Sequence, residues 1–200
     1  MSETQSHFQK DHASFLEPAI KELCTAAKIN LNAIDALSVV NGPGSYTGLR
    51  VGLSSAKAIC YALAKPLILL NTLDVMAHAL KLQSTVKEKN VLFCPLIDAR
   101  RMEVFTALYD VDLNLIKTYS SDIINGHFLE HERRNNKIVV GGNGVVKMQK
   151  IINDENITCI NQLFLSNPAI TLSFKALISK KFSNIAYSEP FYLKQVYFRK

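Results

Sequence analysis

The chain has 200 residues, of which 48% are hydrophobic and 20% are charged, with a formal net charge of +6. This composition is typical of a globular protein of one large or two small domains, and no stretch reaches the roughly 18 uncharged apolar residues of a membrane span. The four cysteines are far apart and include no CxxC pair, which favours reduced cytoplasmic thiols over a zinc site or a disulfide framework.

The first half of the chain alternates helical and strand patterns. Residues 12–28 carry apolar side chains at helical spacing, and residues 36–40 form a short apolar run. A glycine-rich turn then leads into a helical segment over about residues 48–64, followed by the apolar run "PLILL" and the helical segment "NTLDVMAHALKL". Strand, crossover helix and strand in this order predict a parallel α/β layer.

The second half contains longer strands. "VLFCPLIDAR" and "MEVFTALYD" predict two strands joined by a turn, and "NLIKTYS" predicts a third. After the polar segment "HERRNNK", a strand, a glycine turn and a helix follow in "IVVGGNGVVKMQKII", then the strand "ITCI" and a helix from about Pro168. Since no linker separates the halves, we predict two α/β lobes, at residues 1–90 and 91–200.

The turn "GPGSYTG" has two interpretations. Its glycines and the free N–H groups of the following helix suit a phosphate. The spacing, however, matches neither GxxxxGK[ST], because Leu49 stands where lysine is required, nor GxGxxG. We therefore favour a tight turn that orders a closely packed helix, with a vestigial phosphate site as the alternative. The candidate phosphate ligands are Gly42, Gly44, Ser45 and Thr47.

Three motifs together resemble the TsaB (YeaZ) family: "GPGSYTGLRVGLSSAKA", "IDARRMEVF" about fifty residues later, and a C-terminal "PFYLK". The resemblance implies the two-lobed fold of the actin, Hsp70 and sugar-kinase ATPases. It also implies a non-catalytic cytoplasmic subunit of the complex that forms threonylcarbamoyladenosine at position 37 of tRNAs reading ANN codons. TsaD would be the catalytic partner and TsaE a further partner. The complex would use ATP and contact tRNA, and the resemblance implies no cofactor on this chain.

The resemblance further implies that helices of the first lobe bind TsaD. A homodimer of the chain when it is alone is a further candidate assembly. The helical segment at 12–28 has an apolar stripe, and the segment at 48–64 has a face of small residues that a partner helix can approach closely. The alternative is that both faces pack on the chain's own sheet. The candidate interface residues are Phe15, Ala19, Leu23, Gly48, Gly52 and Ala56.

The segment "DARRMEV" places two arginines between two carboxylates at a predicted turn. A local ion-pair cluster is the simpler interpretation, although exposed pairs contribute under about 1 kcal/mol. The functional alternative is a hinge-face contact with the partner or with tRNA. The candidate residues are Asp98, Arg100, Arg101 and Glu103.

The sequence predicts no catalytic or metal-binding set. The HxxxH pair of His127 and His131 lies in a polar stretch beside basic residues, which favours a solvated surface over a metal site. Ser45 lacks the GxSxG context of a nucleophile. We expect no enzymatic activity from the chain by itself, and a stand-alone nucleotide hydrolase of the actin-like fold is the alternative.

The start of the chain departs from the family pattern. Members of the family open with a strand–turn–strand hairpin that holds an Asp-Thr pair, whereas here only eleven residues precede the first helical segment. These residues are too polar to supply a buried strand. We expect a first lobe shortened by about one hairpin, with partner strands missing from its sheet.

Overall fold

The computed structural model describes residues 3–4 and 12–194, which form two compact units that we call unit 1 and unit 2. The described helices are α1 (His12–Ala27), α2 (Tyr46–Leu63), α3 (Thr72–Gln83), α4 (Glu130–Asn135), α5 (Val145–Gln149) and α6 (Ser166–Ile178). The described strands are β1 (Leu37–Gly42), β2 (Leu67–Asn71), β3 (Val91–Asp98), β4 (Glu103–Tyr109), β5 (Leu115–Ile123), β6 (Lys137–Gly141) and β7 (Ile157–Ile160). Among these helices, none combines the length and hydrophobicity needed to cross a bilayer.

The unit boundary differs from the predicted division after residue 90. Unit 1 contains the described residues up to Asn71 together with Ala169–Phe191, and unit 2 contains Thr72–Pro168 and the described residues from Tyr192. Helix α3 therefore belongs to unit 2, because its buried face packs in one apolar cluster with β3 and β6. This difference arises because sequence position does not show which sheet a helix covers.

Unit 1 is built on the parallel pair β1–β2, which α2 connects as a crossover helix. The buried face of α2, with Leu53, Ala56 and Cys60, packs against Leu67 of β2. The predicted parallel α/β layer is confirmed. The segment after α6 returns to the same pair of strands, where Ser183 N donates to Leu67 O at 2.8 Å.

Unit 2 contains a mixed five-stranded sheet in the order β5-β4-β3-β6-β7. The β3–β4 and β4–β5 pairs are antiparallel, and β3–β6 and β6–β7 are parallel. The two faces of β3 belong to different apolar clusters: Leu92 and Cys94 to one, Val91 and Phe93 to the other. A strand covered on both faces has a continuous apolar sequence, which explains the run "VLFCPLI".

Every predicted strand and helix is present in the structure with ends shifted by a few residues, but α4 was missed. Its sequence, EHERRN, has no apolar period, and none of its residues is buried. The helix is held by contacts that lie far away in sequence, such as Arg133 Nη1 to Asp154 Oδ2 at 3.3 Å. A pattern of hydrophobicity cannot detect a helix of this kind.

Candidate functional site

The GPGSYTG turn packs against the chain's own C-terminal segment within unit 1. Phe191 N donates to Asn41 O at 2.7 Å. Gly42 has φ +126°, and a Cβ at this position would collide with Phe191 O, so only glycine fits. The backbone of the turn at Gly42 therefore lies directly against the backbone of Phe191.

Ser45 in the same turn is the N-cap of α2, and its Oγ accepts a hydrogen bond from Gly48 N at 3.3 Å. This bond satisfies one of the donors that every helix start leaves free. Gly44 lies beside the Leu49 side chain, and Thr47 is exposed. Helix capping thus accounts for the Ser45 hydroxyl and the Gly48 N–H, as expected for a turn that orders a helix, and the vestigial phosphate site stays the alternative.

The small-residue face of α2 packs on the chain's own strand. A Cβ at Gly52 would lie 3.6 Å from Val39 Cγ2 of β1, and Ala56 is 4% exposed in the core of unit 1. Ala19 of α1 is 5% exposed. Ala56 and Ala19 are therefore buried within unit 1, whereas Gly52 keeps partial exposure beside Val39. The remaining candidates, Phe15, Leu23 and Gly48, are partly exposed.

A groove of about 650 Å³ lies beside α1 and α2 in unit 1. Apolar side chains of both helices line it, and charged side chains of α1 and the following turn contribute to its wall. We call it the α1–α2 groove. Its lining residues include Glu17, Ile20, Lys21, Cys24, Lys28, Ser55, Ala58 and Ile59. The groove lies beside the two helices named as interface candidates, and it is lined by Ser55, Ala58 and Ile59 of α2, none of which is among those candidates.

The first carboxylate of the DARRMEV turn, Asp98, pairs with a lysine that is distant in sequence. Lys147 Nζ lies 2.7 Å from Asp98 Oδ1, and Arg100 N donates to the same oxygen at 2.7 Å. Partial desolvation raises the pKa of Asp98, but the hydrogen bonds from Lys147 and Arg100 outweigh it, so the pKa lies below its ordinary value. Asn143 Oδ1 also accepts from Asp98 N at 2.8 Å.

The second carboxylate, Glu103, is in contact with Lys194 Nζ and accepts a hydrogen bond from Ser121 Oγ at 2.9 Å. The bonds from Lys194 and Ser121 hold the pKa of Glu103 below its ordinary value. An ion-pair cluster is thus present, but the carboxylates pair with lysines and not with the two arginines of the motif. Neither lysine could be found by spacing, because Lys147 and Lys194 lie far from the motif in sequence.

The two arginines of the turn are exposed, and both have left-handed backbone conformations, with φ 64° at Arg100 and 49° at Arg101. Neither guanidinium makes an ion pair or side-chain hydrogen bond with the described residues of the chain. Glu103 is influenced by the charge of Arg101, but its contacts are with Lys194 and Ser121. The arginine side chains are therefore available to a ligand.

The histidine pair of the sequence analysis lies at the start of α4. His127 Nδ1 is 2.7 Å from Glu130 Oε2, and the His127 side chain is 86% exposed. Glu130 Oε1 also pairs with Arg134 Nη2 at 2.5 Å. Over residues 3–4 and 12–194, no three His, Cys, Asp or Glu side chains are grouped closely enough to hold a metal ion.

The comparisons with known proteins agree with the sequence motifs. A sequence model of the TsaD family, described as tRNA N6-adenosine threonylcarbamoyltransferase, matches residues 6–194. The chain belongs to this family. The TsaB protein of Buchnera aphidicola, named as a tRNA threonylcarbamoyladenosine biosynthesis protein, is 26% identical over 186 residues, which cover 90% of this chain and 80% of the relative. The predicted resemblance to TsaB (YeaZ) is confirmed.

Other relatives of this TsaB-like chain match over shorter lengths. The TsaB protein of Bacillus subtilis is 28% identical over 122 residues, so the match spans 61% of this chain and about half, 51%, of that protein. The solved structure of YeaZ from Pseudomonas aeruginosa superposes with a TM-score of 0.76 at 19% identity, over 92% of this chain and 85% of the other. The mixed α/β fold is therefore that of YeaZ.

Proposed function

We propose that this chain is a non-catalytic subunit of the complex that forms threonylcarbamoyladenosine at position 37 of tRNA, and that it works by docking on TsaD. Membership of the TsaD family and the names of the TsaB relatives support this pathway. In this proposal units 1 and 2 correspond to the lobes of an actin-like fold, and the complex is cytoplasmic. TsaE joins the complex, which consumes ATP and holds the tRNA.

The α1–α2 groove is the observation that carries the docking proposal. Its apolar lining includes Ile20, Cys24 and Ile59, and its charged lining includes Glu17 and Lys21. Protein–protein interfaces likewise combine apolar side chains with polar and charged ones. Burial of these side chains by a partner would contribute roughly 25 cal/mol per Å² of apolar surface.

The shape of the groove suits a helix. Ser55 and Ala58 of α2 have short side chains at the groove, which allows the axis of a docked helix to come within about 8–10 Å of α2. The 16 residues of α1 offer a wall of about 24 Å. We therefore propose that helices of TsaD pack against α1 and α2.

A supporting role rather than a catalytic one agrees with the packing of the glycine turn. The space beside Gly42 is filled by Phe191 O, and the hydroxyl of Ser45 caps α2. A turn whose backbone and hydroxyl are engaged in this way serves the fold of unit 1. This arrangement favours the subunit function over the stand-alone hydrolase.

An Ala58→Arg variant tests the docking proposal. Ala58 is exposed on α2, and arginine is a good helix former, so the variant should fold normally while its side chain blocks the groove. We expect TsaD pull-down to fall at least tenfold with an unchanged Tm. The matched control is Leu82→Arg on α3 of unit 2, where Leu82 is 68% exposed and lies outside the groove. Normal TsaD binding by a folded Ala58→Arg protein would rule out this interface.

Cys24 gives a second, independent readout of the same interface. Its thiol lines the groove and is partly exposed, whereas the partly exposed Cys159 lies on β7 of unit 2. Because Cys60 and Cys94 are buried, the native chain itself supports the comparison: TsaD should slow the reaction of Cys24 with a maleimide and leave that of Cys159 unaffected. If a second copy of this chain occupies the groove when TsaD is absent, Ala58→Arg should also reduce dimer formation in analytical ultracentrifugation.

A further inference from the structure

The turn that joins β3 to β4 carries an excess of positive charge that the described residues do not pair with an anion. Its two carboxylates are matched by two lysines: Asp98 by Lys147 and Glu103 by Lys194. Arg100 and Arg101 therefore add two cations for which the described part of unit 2 supplies no paired anion. We call Arg100 and Arg101 the arginine pair.

The arginine pair is held at an energetic cost. Residues with a Cβ lose roughly 1–2 kcal/mol in the left-handed region, and glycine or asparagine is the usual choice there. Here two consecutive arginines have φ 64° and 49°. Their side chains make no ion pairs or side-chain hydrogen bonds with the described residues that would offset this cost. Packing and turn chemistry in unit 2 thus give no reason for arginine at these positions.

Hydrogen bonds hold the backbone at the base of the turn. Ala99 N donates to Glu103 O at 3.1 Å, and Glu103 N donates to Arg100 O at 3.2 Å. Lys147 Nζ also donates to Glu103 O at 3.2 Å. A fixed backbone limits the freedom that the arginine pair must lose when it binds a ligand, which favours binding.

We propose that the arginine pair contacts the phosphate backbone of RNA. A guanidinium presents a planar fork of donors that matches phosphate oxygens, and two adjacent forks can hold successive phosphates. The chain's net charge of +6 attracts the same polyanion. This inference rests on the proposed function for the identity of the RNA, which is tRNA, and assigns a direct contact to this chain rather than to its partner alone.

Phosphate contacts predict a particular dependence on salt. Each one contributes about 0.7 to 0.9 to the slope of log K against log salt concentration. Loss of two contacts should therefore lower the slope by roughly 1.4 to 1.8. An Arg100→Asn, Arg101→Asn double variant removes both guanidiniums and keeps residue types that accept a left-handed conformation. Its Tm should equal or exceed that of the wild type.

The experiment measures fluorescence anisotropy of a labelled, unmodified tRNA transcript with the full chain between 50 and 200 mM KCl. The double variant should bind about tenfold or more weakly at 50 mM KCl, because two charge-assisted contacts are lost. A double Arg→Lys variant should recover part of the affinity. The matched control, Lys87→Gln with Lys89→Gln, removes the same charge from exposed residues of unit 2 and should change the affinity less than twofold.

Three outcomes would overturn the proposal: no tRNA binding by the chain at 50 mM KCl, an unchanged slope for the asparagine variant, or competition by polyglutamate as effective as that by RNA. The last would identify an acidic protein as the ligand. TsaD is absent from this assay, so its result is independent of docking. A chain that binds tRNA but not TsaD would contradict the proposed function and leave the RNA contact standing.

Discussion

Tyr109 Oη donates a hydrogen bond to Asp74 Oδ1 at 2.7 Å, and this bond ties β4 to the first turn of α3 within unit 2. Tyr119 Oη of β5 donates to the same carboxylate oxygen at 2.9 Å. One acidic residue therefore connects a helix with two neighbouring strands. This arrangement helps to explain why α3 folds with the second sheet and not with the first.

A Tyr109→Phe variant should lower the free energy of unfolding by roughly 1–3 kcal/mol. Tyr109 is 4% exposed, and the variant removes only its hydroxyl. The partly buried Asp74 carboxylate then keeps Tyr119 as a donor but loses the hydrogen bond from residue 109. The measurement is urea unfolding, with Tyr119→Phe as the more exposed comparison. Equal unfolding midpoints for Tyr109→Phe and the wild type would show that water replaces the phenol at no cost.

The free energy of unfolding should fall as the pH rises above about 10. Burial and the neighbouring Asp74 carboxylate raise the pKa of Tyr109 well above its ordinary value of 10 and that of Tyr119 to about 12. A folded pKa above the unfolded one stabilises the fold fully below pH 10, and the contribution is lost as pH rises through the folded value. Urea midpoints measured between pH 9 and 11.5 should decline, and less steeply in Tyr109→Phe.

On the acid side the two carboxylates of the β3–β4 turn should destabilise the fold when they are protonated. The pKa of Glu103 is lowered from 4.5 and that of Asp98 from 3.8. A lowered folded pKa stabilises the fold above the unfolded value and ceases to do so as pH falls through the folded one. We expect the urea midpoint to drop below about pH 4.5, with a smaller drop in Lys147→Met. The control is Lys87→Gln, and a drop as large in Lys147→Met as in the wild type would contradict the Asp98 assignment.

Gly52 distinguishes packing within unit 1 from partner binding. Gly52→Ala should be tolerated, because its Cβ would lie at an ordinary 3.6 Å from Val39 Cγ2, and alanine favours the helix by up to about 1 kcal/mol. Gly52→Leu should push α2 away from β1 and lower stability by about 1–3 kcal/mol. Thermal melts of the isolated chain test both. A Gly52→Leu protein with a normal Tm and no TsaD binding would show that the Gly52 face of α2 contacts TsaD.

Cys94 should resist alkylation until the protein unfolds. Its thiol is 0% exposed, and burial raises its pKa to about 12 despite a 3.2 Å hydrogen bond with Thr106 Oγ1. Since the thiolate is the reactive form, the native protein should react with a disulfide reagent at Cys24 first and at Cys94 only in denaturant. Fast modification of Cys94 in a Cys24→Ser protein under native conditions would show that unit 2 opens readily.

Local pattern was sufficient for most of the secondary structure and for the family. The alternation of apolar runs, glycine turns and amphipathic segments predicts the strands β1 to β7 and the larger helices, because burial against a sheet imposes that periodicity. Helix α4 escaped prediction because a distant ion pair, Arg133 with Asp154, holds a polar segment in place.

The candidate sites divide in the same way. The sequence determined which residue types stand at the glycine turn and at DARRMEV, and it identified α1 and α2 as the helices to consider. Only the tertiary structure decided that Gly52 lies beside β1, that Ala56 packs in the core of unit 1, and that Phe191 fills the space beside Gly42. It also decided that the carboxylates of DARRMEV pair with Lys147 and Lys194 and not with the arginines. The physical reason is that a motif shows which chemical groups are present, whereas contacts between residues far apart in the chain determine which of these groups can bind a ligand.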